Sequence, residues 1–271
     1  MATVDRQRTA GLELNALLQR AFVKTADAAD LPRFEAEVAG LAALRETGTV
    51  RVPAVGRHGH ADGQAFLELE YLELRSLDRT AGATLGRQLA ALHRHAGERF
   101  GWPTDNFIGL GAQPNGWMDS WPRFFAERRL RPQLALARSK GADRLTLQDG
   151  EELCEKVAAF FVDGHPVPSL LHGDFWGGNA GMLPDGTPVV FDPACYHGDR
   201  EADIAMAELF GGFPESFYAA YREAWPLDSG YEARKTLYNL YHILNHFNIF
   251  GAGYLGQAKR MIARLLAELR G

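Results

Sequence analysis

The chain has 271 residues, 46% hydrophobic and 23% charged, which excludes disordered and fibrous classes and predicts one domain or two lobes sharing a cleft. Its formal charge of -5 gives no general electrostatic reason to bind nucleic acid or an anionic membrane, and small-molecule chemistry fits better. Cys154 and Cys195 lie far apart and form no CxxC pair, no apolar run approaches the ~20 residues of a bilayer span, and MATVDRQRTAGLEL lacks a secretory apolar core, so a reducing, cytoplasmic setting is expected.

Residues 20–24 (RAFVK) read as a short strand. After Leu31-Pro32, the residues Phe34, Val38, Leu41 and Leu44 recur at helical spacing. VRVPAVGRHG reads as extended, and QAFLELEYLEL alternates as a strand does, with Phe66 or else Leu67, Leu69 and Tyr71 inward according to register. Helical spacing returns over 85–95. The stretch GERFGWPTDNFIGLGAQPNGWMDSW is too aromatic for a solvated linker and is expected to pack on the larger half and wall a pocket. Residues 122–136 and 151–161 read as helices. Two short strands follow, SLL running into HGDFWGGN and PVVF running into DPA, with a Pro184-Asp185-Gly186 turn read as their hairpin connection. The rest is predominantly helical, broken near Gly211-Gly212, Pro214, Pro226 and 251–256.

His172-Gly173-Asp174, then Asn179, then Asp192, carry the strongest chemical signal. The Asp-to-Asn interval matches the kinase pattern H-R-D-x-x-x-x-N, and the order matches too. Phosphoryl transfer needs one carboxylate to orient the acceptor hydroxyl and take its proton, and oxygen ligands to hold Mg²⁺ against a triphosphate; Asp174, Asn179 and Asp192 supply these types. Placed after two strands of one hairpin, they are expected at one edge of a small sheet. Upstream, Lys24 ends a strand as the kinase phosphate-binding lysine does. Of the two glutamates on the following helix, Glu37 lies on the same stripe as Leu41 and Leu44, and is preferred over Glu35 as its partner. The Glu70 carbonyl and Leu72 amide, at the end of LELEYLEL, are the expected partners of an adenine ring.

Other groups point to structure more than chemistry. His93 and His95 lack the i, i+4 spacing of a zinc helix. Arg128, Arg129 and Arg131 read as a solvated helix face, with phosphate contact as the alternative. Trp102, Trp117 and Trp121 read as core, with Trp117 the one considered as a ligand platform. Asn245 and His246 read as internal hydrogen-bonding groups or as lining of an acceptor pocket.

HGDFWGGN resembles the HGD-[LF]-W-x-G-N signature of the fructosamine kinase (ketosamine-3-kinase) family, within the wider aminoglycoside phosphotransferase and choline kinase group. FGWPTDNFIG with QPNGW, WPRFFAERRLRPQL, GDREADIAM and LYNLYHILNHFNIFG resemble the same family, and together they span about 19–260. The resemblance implies an α+β, two-lobed protein-kinase-like fold: a nucleotide-binding lobe over 1–72 and a mainly helical catalytic lobe over 73–271. It implies ATP-dependent phosphorylation of the C3 hydroxyl of a ketosamine, followed by deglycation. Asp174 would be the base, Asn179 and Asp192 the Mg²⁺ ligands, and Lys24 with Glu37 the nucleotide ion pair. Trp176 and His246 would face the sugar, and His172 and Asp203 would brace the catalytic loop. A free sugar-amine and a glycated protein lysine both remain open as substrates. So do another hydroxyl acceptor (aminoglycoside, choline-like alcohol or sugar) and a non-catalytic, pseudokinase-like binding module. Only Gly11 precedes Lys24, so no glycine-rich cover for the phosphates is read there; either the first hairpin is abbreviated or the sequence does not start where the family's does.

Overall fold

The computed structural model describes residues 21–162, 164 and 166–270. The expectations made for the segment ahead of β1, an abbreviated first hairpin and its phosphate cover, lie outside the described residues.

The small lobe comprises β1 (Ala21–Asp27), α1 (Leu31–Glu46), β2 (Val55–Ala61) and β3 (Gln64–Glu70), with the antiparallel strands in the order β1-β3-β2. Pro32 sits in the first turn of α1, where its missing N–H is no loss. Asp62 and Gly63, both at positive φ, form the two-residue turn between β2 and β3 that the strand twist favours. In β3 the inward face is Ala65, Leu67 and Leu69, which share a core with Phe34, Leu41 and Leu44 of α1. Tyr71 falls beyond the strand and is half exposed.

The large lobe begins with α2 (Arg79–His93), capped by Asp78, whose side chain accepts from the Ala81 N–H at 2.8 Å. β4 (Asn106–Ile108) and β5 (Gly111–Gln113) form a hairpin inside the aromatic stretch. A helical run follows as α3 (Trp121–Phe124), a π-helical segment Phe125–Leu130, and α4 (Arg131–Ser139). Pro132 has no N–H to give the Arg128 carbonyl, and that oxygen accepts from the Arg129 guanidinium instead, which accounts for the widened turn. Next come α5 (Arg144–Lys156), β6 (Ser169–Leu171), β7 (Ala180–Met182), β8 (Pro188–Val190) and β9 (Tyr196–Gly198). Four helices close the fold: α6 (Glu201–Phe210), α7 (Glu215–Ala224), α8 (Tyr231–Phe250) and α9 (Leu255–Glu268). Among the described residues no helix is long and apolar enough to cross a membrane, and both cysteines are buried and free.

Two expectations are corrected. SLL and PVVF are not partners: β6 pairs with β9, while β7 pairs with β8, and the Pro184-Asp185-Gly186 turn closes the latter hairpin. The solvated Arg face is also wrong for Arg129, which is fully buried. Its guanidinium lies 4.0 Å from the Tyr196 ring centroid and 4.7 Å from that of Phe124, and it donates to Pro114 O at 2.6 Å and Asn115 Oδ1 at 2.9 Å. Aromatic faces and carbonyls stabilise a desolvated cation that periodicity alone places in water. Arg128 is exposed, and Arg131 pairs with Glu151 at 2.7 Å.

Candidate active site

β6 delivers the His172-Gly173-Asp174 turn, and α6 secures it from behind. The Asp203 carboxylate accepts from the His172 N–H at 2.7 Å and from the Gly173 N–H at 2.9 Å. Gly173 has φ +83, and a Cβ there would lie 2.0 Å from Ala194 O, so the backbone of the next loop passes where a side chain would stand. His93 Nε2 lies 3.2 Å from Asp203, and its Nδ1 lies 2.8 Å from the Tyr221 hydroxyl. Because a carboxylate can only accept, Nε2 carries the proton and donates to Asp203. His93, rejected as a metal ligand on spacing, thus has a place behind the catalytic loop that nothing in its local sequence marks.

The Asp192 turn is tied to the first loop on both sides. Phe191 N–H donates to Asn179 O at 3.0 Å, Ala194 N–H donates to His172 O at 2.8 Å, and His172 Nε2 donates to Phe191 O at 3.0 Å. Asp192 itself has φ +55, a left-handed conformation that a short polar residue tolerates better than most. Two further amides hold the following strand: Asn106 Nδ2 donates to Cys195 O at 2.7 Å and Gln113 Nε2 to Ala194 O at 3.1 Å. Their source is the β4–β5 hairpin, and sequence reading singled out neither.

Asn179 points its amide nitrogen at Asp174, donating to the main-chain oxygen at 2.9 Å and to Oδ2 at 3.0 Å. Its amide oxygen is thereby left for another partner. From the small lobe, Lys24 Nζ donates to Glu37 Oε1 at 2.8 Å and Oε2 at 2.9 Å, and also to Asp192 Oδ1. Gly40, one turn beyond Glu37, lets α1 sit against the Asp192 turn: a Cβ there would be 3.0 Å from Pro193 Cγ. Lys24, Glu37, Asp174, Asn179 and Asp192 therefore converge, although not through the single hairpin expected.

Electrostatics suits proton transfer. Burial pushes the Asp174 carboxyl up to about 7, against the pull of the Asn179 hydrogen bond and with a further push from Asp192 and Asp203. Burial disfavours the Lys24 ammonium, yet Glu37 and Asp192 outweigh it and hold its pKa above the ordinary lysine value. Burial, with a further push from Asp192, raises the Glu37 carboxyl above the ordinary glutamate value against the pull of the Lys24 ammonium, which lies within 2.9 Å of both its oxygens.

Two cavities meet at Asp174. One, of about 400 Å³, is lined by Lys24, Glu37, Asn106, Asp174 and Asp192 among others. The second, of about 220 Å³, is lined by Asp174 together with Trp176, Phe210, His246 and Phe250. Gly109 and Leu110, at the tip of the β4–β5 hairpin, border both, so the aromatic stretch does wall a pocket. The Trp176 ring meets Phe210 edge-on, with centroids 6.2 Å apart. His246 donates from Nδ1 to His242 O at 2.8 Å, which leaves Nε2 free for the cavity; Asn245, buried beside Gln133, also lines it. Glu70 and Leu72 line neither cavity. The Glu70 side chain is spent on Arg51 and on the Ala54 N–H at 2.9 Å, and its own N–H on Ala54 O.

Among the described residues no group of three His, Cys, Asp or Glu could hold a metal ion by itself. The Asp192 carboxylate and the Asn179 amide oxygen are nevertheless hard donors of the kind that suit Mg²⁺ when it is shared with phosphate oxygens. The donor set fits.

The fructosamine kinase family profile matches residues 8–268. A protein of Synechocystis sp. named "Probable ketoamine kinase" is 48% identical over 249 residues, covering 92% of this chain and 83% of that protein. A crystal structure from Haemophilus somnus 129PT, proposed to be a fructosamine-3-kinase, has TM-score 0.84 at 34% identity, covering 91% of this chain and 83% of its own. The fold extends to an aminoglycoside-3'-phosphotransferase of type VIII, with TM-score 0.53 at 20% identity, covering 82% of this chain and 84% of its own. A small sheet lobe set on a helical lobe, the HGDFWGGN loop against Asp203, and likeness over nearly the whole chain make this protein a member of the fructosamine kinase family.

Proposed function

We propose that the chain transfers the γ-phosphoryl group of ATP to the C3 hydroxyl of a ketosamine, such as a fructosamine or ribulosamine. The observation that carries this reading is the position of Asp174, which borders both the cavity reached by Lys24 and the cavity walled by Trp176 and His246. The triphosphate occupies the first cavity and the sugar the second, and the small lobe ends near Leu72.

Lys24, oriented by Glu37, donates to phosphate oxygens. Asp174 accepts a hydrogen bond from the sugar hydroxyl, aligns its oxygen with the γ-phosphorus and takes its proton as the oxygen–phosphorus bond forms; ADP leaves. A base with a pKa near 7 suits this step, because about half of it is ionised at neutral pH and it is still basic enough to accept a proton. Asp192 and Asn179 are the residues that would hold Mg²⁺, which when bound neutralises charge on the phosphates. Trp176 supplies an apolar face for the sugar ring. Asp203, His93 and His172 keep the loop in place. The phosphorylated ketosamine sheds its sugar, so the outcome is deglycation.

ADP release, measured with a fructosamine, a ribulosamine, an aminoglycoside, choline and free fructose as acceptors, tests the reading. Turnover with the fructosamine or the ribulosamine is expected. Turnover confined to the aminoglycoside, or none with any acceptor, overturns it.

A further inference from the structure

A ketosamine has two ends: the sugar, whose hydroxyl reacts, and the substituent on its amine nitrogen. Once the sugar is placed between Asp174 and Trp176, that substituent must leave the second cavity along its rim. Leu110 and Phe250, two of the most exposed large apolar side chains of the described residues at 69% and 67%, form that rim. Exposed side chains of this size beside a catalytic carboxylate lose free energy to water unless a ligand covers them.

The rim is built on fixed elements. Gly111 lies so near α8 that a Cβ would be 2.7 Å from Asn245 Oδ1, which sets the β4–β5 tip directly against the helix that ends in Phe250. Phe250 also packs on His246, with ring centroids 5.4 Å apart. Apart from Asp174 and His246, no ionisable side chain lines the cavity, so a charged group close to the substrate's nitrogen meets no partner of opposite sign on the rim.

Resting on the ketosamine reading above, we propose that Leu110 and Phe250 form the subsite for the carbon chain on the amine nitrogen. The preferred substrates are then ketosamines with an unbranched apolar stem of several carbons, the chemistry shared by alkylamine adducts and glycated lysine side chains. Adducts whose nitrogen bears a short charged group are poorer.

The test uses purified enzyme, ATP and fructose adducts of methylamine, propylamine, pentylamine and glycine. With each added methylene half covered, kcat/KM should rise about twofold per carbon, roughly 15-fold from methylamine to pentylamine, while the glycine adduct does no better than methylamine. Leu110→Ser and Phe250→Ser change exposed positions, and each should flatten the series to under about threefold without lowering Tm. Turnover with equal kcat/KM across the series in the unsubstituted enzyme overturns the subsite. A steep series that survives both substitutions overturns its location. Absence of turnover with every fructose adduct and with the corresponding ribulose adducts overturns the ketosamine reading itself, and the subsite with it.

Discussion

Asp203→Asn replaces a carboxylate by an amide of the same shape, and its effect follows from the hydrogen bonds Asp203 accepts. The two oxygens take the N–H groups of His172 and Gly173 at 2.7 and 2.9 Å, and His93 approaches at 3.2 Å. An amide keeps one acceptor and turns the other into a donor, so in either orientation one backbone N–H faces an NH₂ group and loses its partner. Losing a charge-assisted hydrogen bond and stranding a buried N–H together cost about 3–5 kcal/mol. For a chain of this length that corresponds to a fall in Tm of roughly 6–10 °C. Catalysis should suffer separately, because the two N–H groups belong to the residues just before Asp174. A displacement on the order of 1 Å lowers kcat by about a hundredfold, while the KM for ATP, which the proposed function assigns to Lys24 and Glu37 in the other lobe, should change little. Calorimetry and a coupled ADP assay read the two effects. A Tm within about 2 °C of the parent together with an unchanged kcat would refute the bracing role; a lowered Tm with full kcat would reduce Asp203 to a purely structural residue.

The same carboxylate should shape acid stability. Burial opposes its ionised form, but the His93 hydrogen bond, the charges of His93 and His172 and the Gly173 N–H outweigh burial and leave its pKa below the ordinary value. A depressed acid contributes stability that is complete above its unfolded pKa of about 3.9 and is lost as pH falls through the lower folded value, so Tm should drop below about pH 4, less steeply in Asp203→Asn. Asp174→Asn removes the base and spares the proposed metal ligands, so kcat should fall by about 10²- to 10⁴-fold with nucleotide binding retained. Unchanged turnover in a steady-state assay would remove Asp174 from the mechanism.

The catalytic set was more legible in the sequence than the scaffold that assembles it. Asp174, Asn179 and Asp192 announce themselves through order and interval, and Glu37 through its place on the stripe with Leu41 and Leu44; the structure brings all four near Lys24. The strand pairing was not legible. β6, β7, β8 and β9 are three residues each, too short for an alternation pattern to identify a partner, and Gly181 at the centre of β7 is a residue that strands disfavour. Arg129 was misplaced for a related reason: helical periodicity ranks a residue by its polarity, whereas its burial depends on Tyr196 and Phe124, brought to it by distant strand and neighbouring helix.

The geometry also explains why the expected site survives an incorrect pairing. One hairpin would have placed Asp174 and Asp192 by strand register alone, and a slip of one residue would have turned either side chain away. In the observed arrangement each loop is located by bonds that do not depend on that register. Asp203 fixes the first loop from α6, Asn106 and Gln113 hold the segment after the second from the β4–β5 hairpin, and His172 joins the two through Phe191 O and Ala194 N–H. Main-chain atoms make most of these contacts, so they constrain backbone path more than side-chain identity. The side chains that project from the constrained path are those that the chemistry requires, which is why chemical reasoning could find them while topological reasoning could not. Positioning from several independent elements also means that no single short strand has to be stable by itself, a condition that three-residue strands could not otherwise meet.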